Sequence, residues 1–323
     1  MRYLITGGAG FIGSHLCREL LRRGEQVVAV DDLSTGVLGN VETLSGDPRF
    51  RFVRGDCANR LLMEEWVADC DAIIHLAAAV GVKRVIESPL RTIETNVHGT
   101  ETVLALASAR GRPVLLTSSS EVYGKSSAVP FREDADLVLG PPTQARWSYA
   151  CSKALDEFLA LAYWREKGLP AIVVRLFNTV GPRQTGRYGM ALPSFVAQGL
   201  AGEDITVYGD GSQSRCFTHV ADVVDALLLL LASERHFGEV YNVGSAEEVT
   251  IRELATAVRS ATGERSRVVF VPYEAAYAPG FEEVPRRVPD LGKIAAATGW
   301  RATRRLPQIL SDVIAGARRG LLQ

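Results

Sequence analysis

Thr6-Gly7-Gly8-Ala9-Gly10-Phe11-Ile12-Gly13 is the stretch that decides the fold. It follows directly on a short apolar run, Tyr3–Thr6, and opens an amphipathic one, Phe11–Arg23. A turn this tight needs residues without a Cβ and a backbone that approaches a pyrophosphate closely. A helix starting there offers free N–H groups and the positive end of its dipole to phosphates. Gly7, Gly10, Phe11, Ile12 and Gly13 are therefore candidates for contact with a dinucleotide, in a GxxGxxG spacing. The second apolar run, Gln26–Val30, ends in Asp31 with Asp32 beside it, 18 residues past Gly13. That is near the offset of about 20 at which a carboxylate meets the adenosine ribose hydroxyls. A carboxylate there repels a 2′-phosphate, so the pattern favours NAD over NADP. The plainer reading is a glycine turn with an incidental aspartate. Asp56, after the third run, is a candidate for the adenine or simply a turn former.

Outward from this turn, apolar runs alternate with helical patterns. Strands are expected at Tyr3–Thr6, Gln26–Val30, Phe50–Arg54, Ala72–Leu76, Val114–Ser118 and Ala171–Leu176. Helices are expected at Phe11–Arg23, Thr92–Arg110 and Trp147–Lys167. Alternation of this kind implies an α/β fold, a Rossmann-type doubly wound parallel sheet covered by helices on both faces. Runs such as Ala72-Ile73-Ile74 agree, because a central parallel strand is buried on both sides. After Asn178 glycine and proline punctuate the chain, and Glu239–Val243 reads as a further strand. The expected division is a dinucleotide-binding domain over 1–177, with 213–243 returning to it, and a smaller substrate-binding lobe from 178–212 and 244–323.

The 323 residues suit two domains, or one large domain with a lobe built onto it. The formal net charge of −1 gives no electrostatic case for nucleic acid or an anionic membrane. The longest apolar run, Ala226 to Ala232, is far short of the roughly 20 residues a membrane span needs and reads as a buried helix. The N-terminus turns glycine-rich at once and leaves no room for a signal peptide. Five cysteines, with no CxxC pair, speak against a disulfide framework or a zinc site, and a cytoplasmic setting is the default. His75 and His219 have no paired ligands and read as structural, and no metal is expected. Trp66 and Trp300 read as core.

Tyr149-Ala150-Cys151-Ser152-Lys153 lies at the start of the third helix. Positions i and i+4 share a face, so Tyr149 and Lys153 point the same way. A phenol with a pKa near 10 must lose about three units, roughly 4 kcal/mol, to act as a base near neutrality. One ammonium about 4 Å away at an effective dielectric near 20 supplies about that much. The spacing thus predicts that Lys153 lowers the Tyr149 pKa. Taken alone, YxxxK also describes a solvated helix face. The strand Val114–Thr117 runs into Ser118-Ser119-Ser120-Glu121, at the strand end where an α/β sheet binds its ligand. A serine there can hold a reacting hydroxyl against the tyrosine, or merely satisfy the strand end.

Together these motifs resemble the extended short-chain dehydrogenase/reductase family over nearly the whole chain. The likeness rests on TGGAGFIGSHL (6–16), HLAA (75–78), SSSEVYG (118–124), YACSK (149–153), RLFNTVGPR (175–183) and VYGDGSQSRCFTHVADV (207–223). The last two resemble its nucleotide-sugar branch. SSEVYG, GPPTQARWSYACSK (140–153) and YAPGFEEVPRRVPD (277–290) resemble UDP-glucuronate decarboxylases in particular. The resemblance implies NAD as cofactor, with Leu76, Ala77 and Ala78 against it. It implies catalytic roles for Ser119, Glu121, Tyr149, Lys153 and Arg215. For the UDP-sugar it implies Ser119, Ser120, Asn178, Tyr208 and Arg215. Arg187 could meet a uronate carboxylate, since guanidinium binds carboxylate bidentately, or be an exposed loop residue. Arg286 could reach the nucleotide. Family members commonly form homodimers through two helices of each subunit, here Thr92–Arg110 and Trp147–Lys167.

The chemistry so implied starts with oxidation at C4, Tyr149 taking the hydroxyl proton. The 4-keto uronate then carries its carboxyl β to a ketone and loses CO₂ into an enolate. The oxyanion needs a nearby donor, and Tyr149 and Ser119 are placed to act. C5 then needs a proton, with Glu121 and Arg215 the candidates to position or deliver it. UDP-4-keto-xylose, UDP-xylose or both would result. A UDP-sugar 4-epimerase shares every feature except a need for Glu121. A 4,6-dehydratase and a non-catalytic NAD-binding protein on the same fold are the other readings.

Overall fold

The structure, a computed structural model, describes residues 1–186, 189–276 and 282–321. The first half alternates as expected: β1 (Arg2–Thr6), α1 (Phe11–Arg22), β2 (Gln26–Asp31), β3 (Phe50–Arg54), α2 (Arg60–Ala68), β4 (Ala72–His75), α3 (Val82–Glu87), α4 (Pro89–Arg110), β5 (Val114–Ser119), α5 (Trp147–Lys167) and β6 (Ala171–Leu176). Proline opens α4 at its first turn, where a missing N–H costs nothing, and Gly111 closes it in the left-handed conformation. Gly168 closes α5 in the same way.

A seven-stranded parallel sheet results. Its order is Val240–Val243, β6, β5, β4, β1, β2, β3. The apolar strands explain both covered faces. Successive side chains on a strand point to opposite sides. Leu4, Ile73 and Leu116 enter one core, with Met63 of α2, Val103 and Leu104 of α4 and Ala160 of α5. Their neighbours Ile5, Ile74 and Leu115 enter the other, with Leu16 and Leu20 of α1 and the helix α7 (Val220–Leu231). The Ala226–Ala232 run thus forms mostly buried helix rather than a membrane segment. Each fully buried Leu or Ile contributes on the order of 1.5–3 kcal/mol. A separate cluster joins α6 (Ala191–Ala201), α8 (Ile251–Thr262) and the helix Leu306–Arg318 through Phe195, Val196, Leu254, Val258 and Val313.

One ion pair ties the sheet to α5. Arg175 on β6 is buried and donates to Glu157 through Nε at 3.0 Å and Nη2 at 2.7 Å. Its guanidinium also lies over the buried Tyr123 ring, 4.8 Å from the centroid. The chain order builds outward from β1 to β3 on one side, then from β4 to β6 on the other. The carboxyl ends of β1 and β4 therefore diverge into a crevice, the usual ligand position in such a sheet. No described helix is long and apolar enough to cross a membrane.

Candidate active site

A cleft of about 860 Å³ opens at that crevice. Its floor is the glycine turn. Gly7 has φ +71°, and a Cβ on it would meet the Ala77 backbone nitrogen at 2.9 Å. A Cβ on Gly13 would lie 2.2 Å from the Gly7 carbonyl oxygen, so the first turn of α1 packs directly on the loop. Gly10 caps α1 with no side-chain acceptor, which leaves the first-turn amides to a ligand. This is a cradle that side chains would fill, and it fits a pyrophosphate.

Asp31 sits at the end of β2 and accepts from the Ala9 and Leu33 amides at 3.0 and 2.8 Å. Burial pushes its carboxyl up, while the Leu33 and Ala9 amides hold it back. Asp32, Asp56, Leu76, Ala77 and Ala78 line the same end of the cleft.

At the other end, β5 delivers Ser119, and a short helical turn, Ser120–Tyr123, follows it. The Ser119 hydroxyl accepts from the Glu121 amide at 3.2 Å, which points the turn into the cleft. Tyr149 and Lys153 approach from α5, and all of Ser119, Ser120, Glu121, Tyr149 and Lys153 line the cleft. The phenol behaves differently from the expectation. Burial pushes the Tyr149 pKa well up, Ser119 holds it down, and the Glu121 and Asp156 carboxylates push it further up. Lys153 is buried and donates to Asp156 on its own helix at 2.9 Å. Its charge is thus shared with a carboxylate three residues on, which the YxxxK spacing does not disclose.

Around Glu121 the structure assembles charges from distant segments. Arg287 pairs with one carboxylate oxygen and Arg146 with the other, the latter at 3.5 Å. Burial works to raise the Glu121 carboxyl, but Arg287 and Arg146 outweigh it and hold it below its usual range. Arg215 pairs with Glu283 and donates to the Ser214 carbonyl at 2.7 Å. Burial and the Arg287 charge lower its pKa despite Glu283. Arg146, Arg215 and Arg287 thus meet the Glu121 and Glu283 carboxylates at the same end of the cleft as Tyr149.

Asn178, at φ +24°, and Tyr208 also line the cleft, with Asn178 donating to the Cys216 carbonyl at 3.2 Å. Arg286 is placed differently from these residues. It reaches outward and is held by Glu248 through two hydrogen bonds of 2.8 Å, outside the residues that line the cleft. Arg287 takes the inner position. The reason is local. Phe131 donates to the Val288 carbonyl and accepts from the Asp290 amide, both at 2.8 Å, and these bonds fix the segment just after Arg287. Arg187 lies outside the described residues. Arg146, Asp156, Glu283 and Arg287 are the site residues that sequence reasoning missed. Arg146 had a readable signal, three positions before Tyr149, and so had Asp156, three after Lys153. His75 is buried between Thr6 and Thr100, His219 caps α7, and Trp66 and Trp300 are core. Cys17, Cys57, Cys70 and Cys216 are buried and Cys151 exposed, all as free thiols.

The family described as GDP-mannose 4,6 dehydratase matches residues 4–313. The chain is 43% identical, over 91% of its length and 90% of the relative's, to UDP-N-acetyl-alpha-D-glucosaminuronate decarboxylase of Bacillus cytotoxicus. It is 37% identical to UDP-glucuronic acid decarboxylase 1 of Danio rerio, covering 97% of this chain and 72% of that one. Its fold matches that of UDP-glucuronic acid 4-epimerase from Bacillus cereus, solved with UDP-glucuronic acid and NAD. That match has a TM-score of 0.89, 28% identity and 99% coverage of both chains. With the glycine cradle, the Ser119/Tyr149/Lys153 grouping and these likenesses together, the chain belongs to the GDP-mannose 4,6-dehydratase-like family of extended short-chain dehydrogenases/reductases.

Proposed function

We propose that the chain is an NAD-dependent decarboxylase of a UDP-linked uronate, with UDP-glucuronate as the first substrate to offer. The observation that carries this is the Glu121 anion clasped by Arg287 and Arg146 next to Ser119 and Tyr149. A site that only oxidises and re-reduces C4 has no need of such a group, whereas one that receives a carboxylate and must later protonate C5 does. The names of the Bacillus cytotoxicus and Danio rerio relatives support it.

The cradle of Gly7, Gly10 and Gly13 would hold the NAD pyrophosphate, Asp31 a ribose, and Leu76, Ala77 and Ala78 the remainder. NAD, when bound, supplies a hydride acceptor for C4. Tyr149 then takes the C4 hydroxyl proton, while Ser119 holds that oxygen. After CO₂ leaves, the same two hydroxyls donate to the enolate oxygen. Arg146, Arg215 and Arg287 receive the substrate carboxylate. Glu121, kept ionised by its arginines, acts at C5 by positioning or relaying a proton through water. Asn178 and Tyr208 would face the nucleoside diphosphate. In this reading 1–177 with 213–243 form the cofactor domain, and 178–212 with 244–323 the substrate lobe. The protein works in the cytoplasm as a homodimer through α4 and α5. Exposed Leu90, Ile93, Leu155 and Phe158 on those adjacent helices support that pairing.

The test is to incubate the purified chain with NAD⁺ and either UDP-glucuronate or its 2-acetamido counterpart, reading products by mass and NMR. Loss of CO₂ is expected. A product of unchanged mass with inverted C4, or one lighter by water, would replace this reading with an epimerase or a dehydratase.

A further inference from the structure

Lys153 and Asp156 are both buried, and Asp156 is fully enclosed. A buried carboxylate is costly unless its surroundings satisfy it. Its Oδ2 accepts from Lys153 Nζ at 2.9 Å. Its Oδ1 meets no donor at hydrogen-bonding geometry, although the Thr100 hydroxyl on α4 is near enough to pull the carboxyl down.

Behind Thr100 runs a chain of polar contacts. The Ala77 amide donates to Thr6 Oγ1 at 3.2 Å, and Thr6 Oγ1 lies 2.7 Å from His75 Nδ1. Burial keeps the His75 ring neutral, with a pKa of about 3. Its Nε2 lies 3.2 Å from Thr100 Oγ1. The chain therefore begins beside the glycine turn and ends at the hydroxyl next to the carboxylate that grips Lys153.

We infer that Asp156 is a positioning residue of the active site, holding Lys153 as its counter-ion and so governing how readily Tyr149 gives up its proton. The inference rests on the Tyr149/Lys153 reading above. Glu157 on α5 is neutralised by Arg175 of β6, Glu121 beyond β5 is clasped by Arg287 and Arg146, and His75 of β4 is neutral. Glu121 and Asp156 are the two anions that raise the phenol, and Asp156 acts both directly and by offsetting Lys153.

The test titrates Tyr149 by the ultraviolet absorbance of tyrosinate, as the difference between each full-length protein and its Y149F version. D156N keeps an acceptor for Lys153 and removes the negative charge. The Tyr149 titration is expected to move to lower pH by about one unit, about tenfold more phenolate at a fixed pH below the midpoint. The acid limb of the kcat profile should move with it. D156A, with folding checked by thermal melting, should shift the same way if the asparagine variant does not fold. An unchanged midpoint, or one moved to higher pH, in a folded variant overturns the inference. The absorbance needs no substrate. A Tyr149 shift without decarboxylation of either uronate would therefore sink the proposed function and leave this inference standing.

Discussion

Arg286 and Arg287 are consecutive in the chain and serve different carboxylates: Arg287 is buried against Glu121 in the cleft, and Arg286 reaches outward to Glu248. The pair makes a controlled comparison, because two like charges one residue apart differ in whether they face the substrate. R287M should lower kcat/KM for the uronate at least about a hundredfold, the scale of removing one partner from a desolvated charge pair. R286M, which loses an exposed pair worth at most about 1 kcal/mol, should stay within about twofold. Steady-state kinetics on both variants checks this, and equal losses would put the inner assignment of Arg287 in error.

Gly13 tests the cradle. G13A places a methyl group where the Gly7 carbonyl oxygen already stands, 2.2 Å away, so α1 must shift off the turn. Dinucleotide affinity, measured by calorimetry, should fall at least tenfold, and the protein should lose about 1–3 kcal/mol, the scale of overpacking a filled site. Wild-type affinity in G13A would show that the turn has more room than its geometry allows.

Glu157 and Arg175 test the join between sheet and helix. R175M leaves a carboxylate buried without its partner and should cost about 3–5 kcal/mol in urea unfolding. Combining it with E157L removes the orphaned charge, and the double variant should recover part of that loss. A double variant less stable than R175M alone would contradict the pairing.

His75 sets a pH dependence whose sign follows from its burial. Its folded pKa of about 3 lies below the unfolded value near 6.5, so the unfolded chain binds the proton first. Its contribution is complete above pH 6.5 and is lost as pH falls from there toward 3. Between pH 7 and pH 5 the protein should lose about 2 kcal/mol that a H75Q variant does not lose. Urea midpoints at the two pH values measure it, and parallel losses in parent and variant would reject it.

The sheet was legible because its strands are apolar on both sides and short, so Leu4 and Ile5, or Ile73 and Ile74, announce a two-faced core without any partner being known. Phe50–Arg54, Ala171–Leu176 and Trp147–Lys167 match their sequence-based bounds to the residue. The glycine turn and the Tyr149/Lys153 pair were legible for a related reason, since each lies within one short stretch of sequence. The charges around Glu121 were not. Arg287 lies 166 residues beyond it, and whether Arg286 or Arg287 faces inward depends on the Phe131 pairing, which no periodicity encodes. The partner of Lys153 was not legible in the YxxxK spacing, which relates the lysine to the tyrosine at i, i+4 and is silent on the aspartate three residues further on.

The strand order makes the two ends of the cleft depend on different ranges of the sequence. The glycine turn is seated by β1, β2 and β4, all within the first 75 residues, whereas Glu121 is clasped by a guanidinium 166 residues further on. Yet α1, which rises from that turn, packs on α7. Substitutions in the later segments that loosen α7 would therefore be felt at both ends of the cleft at once.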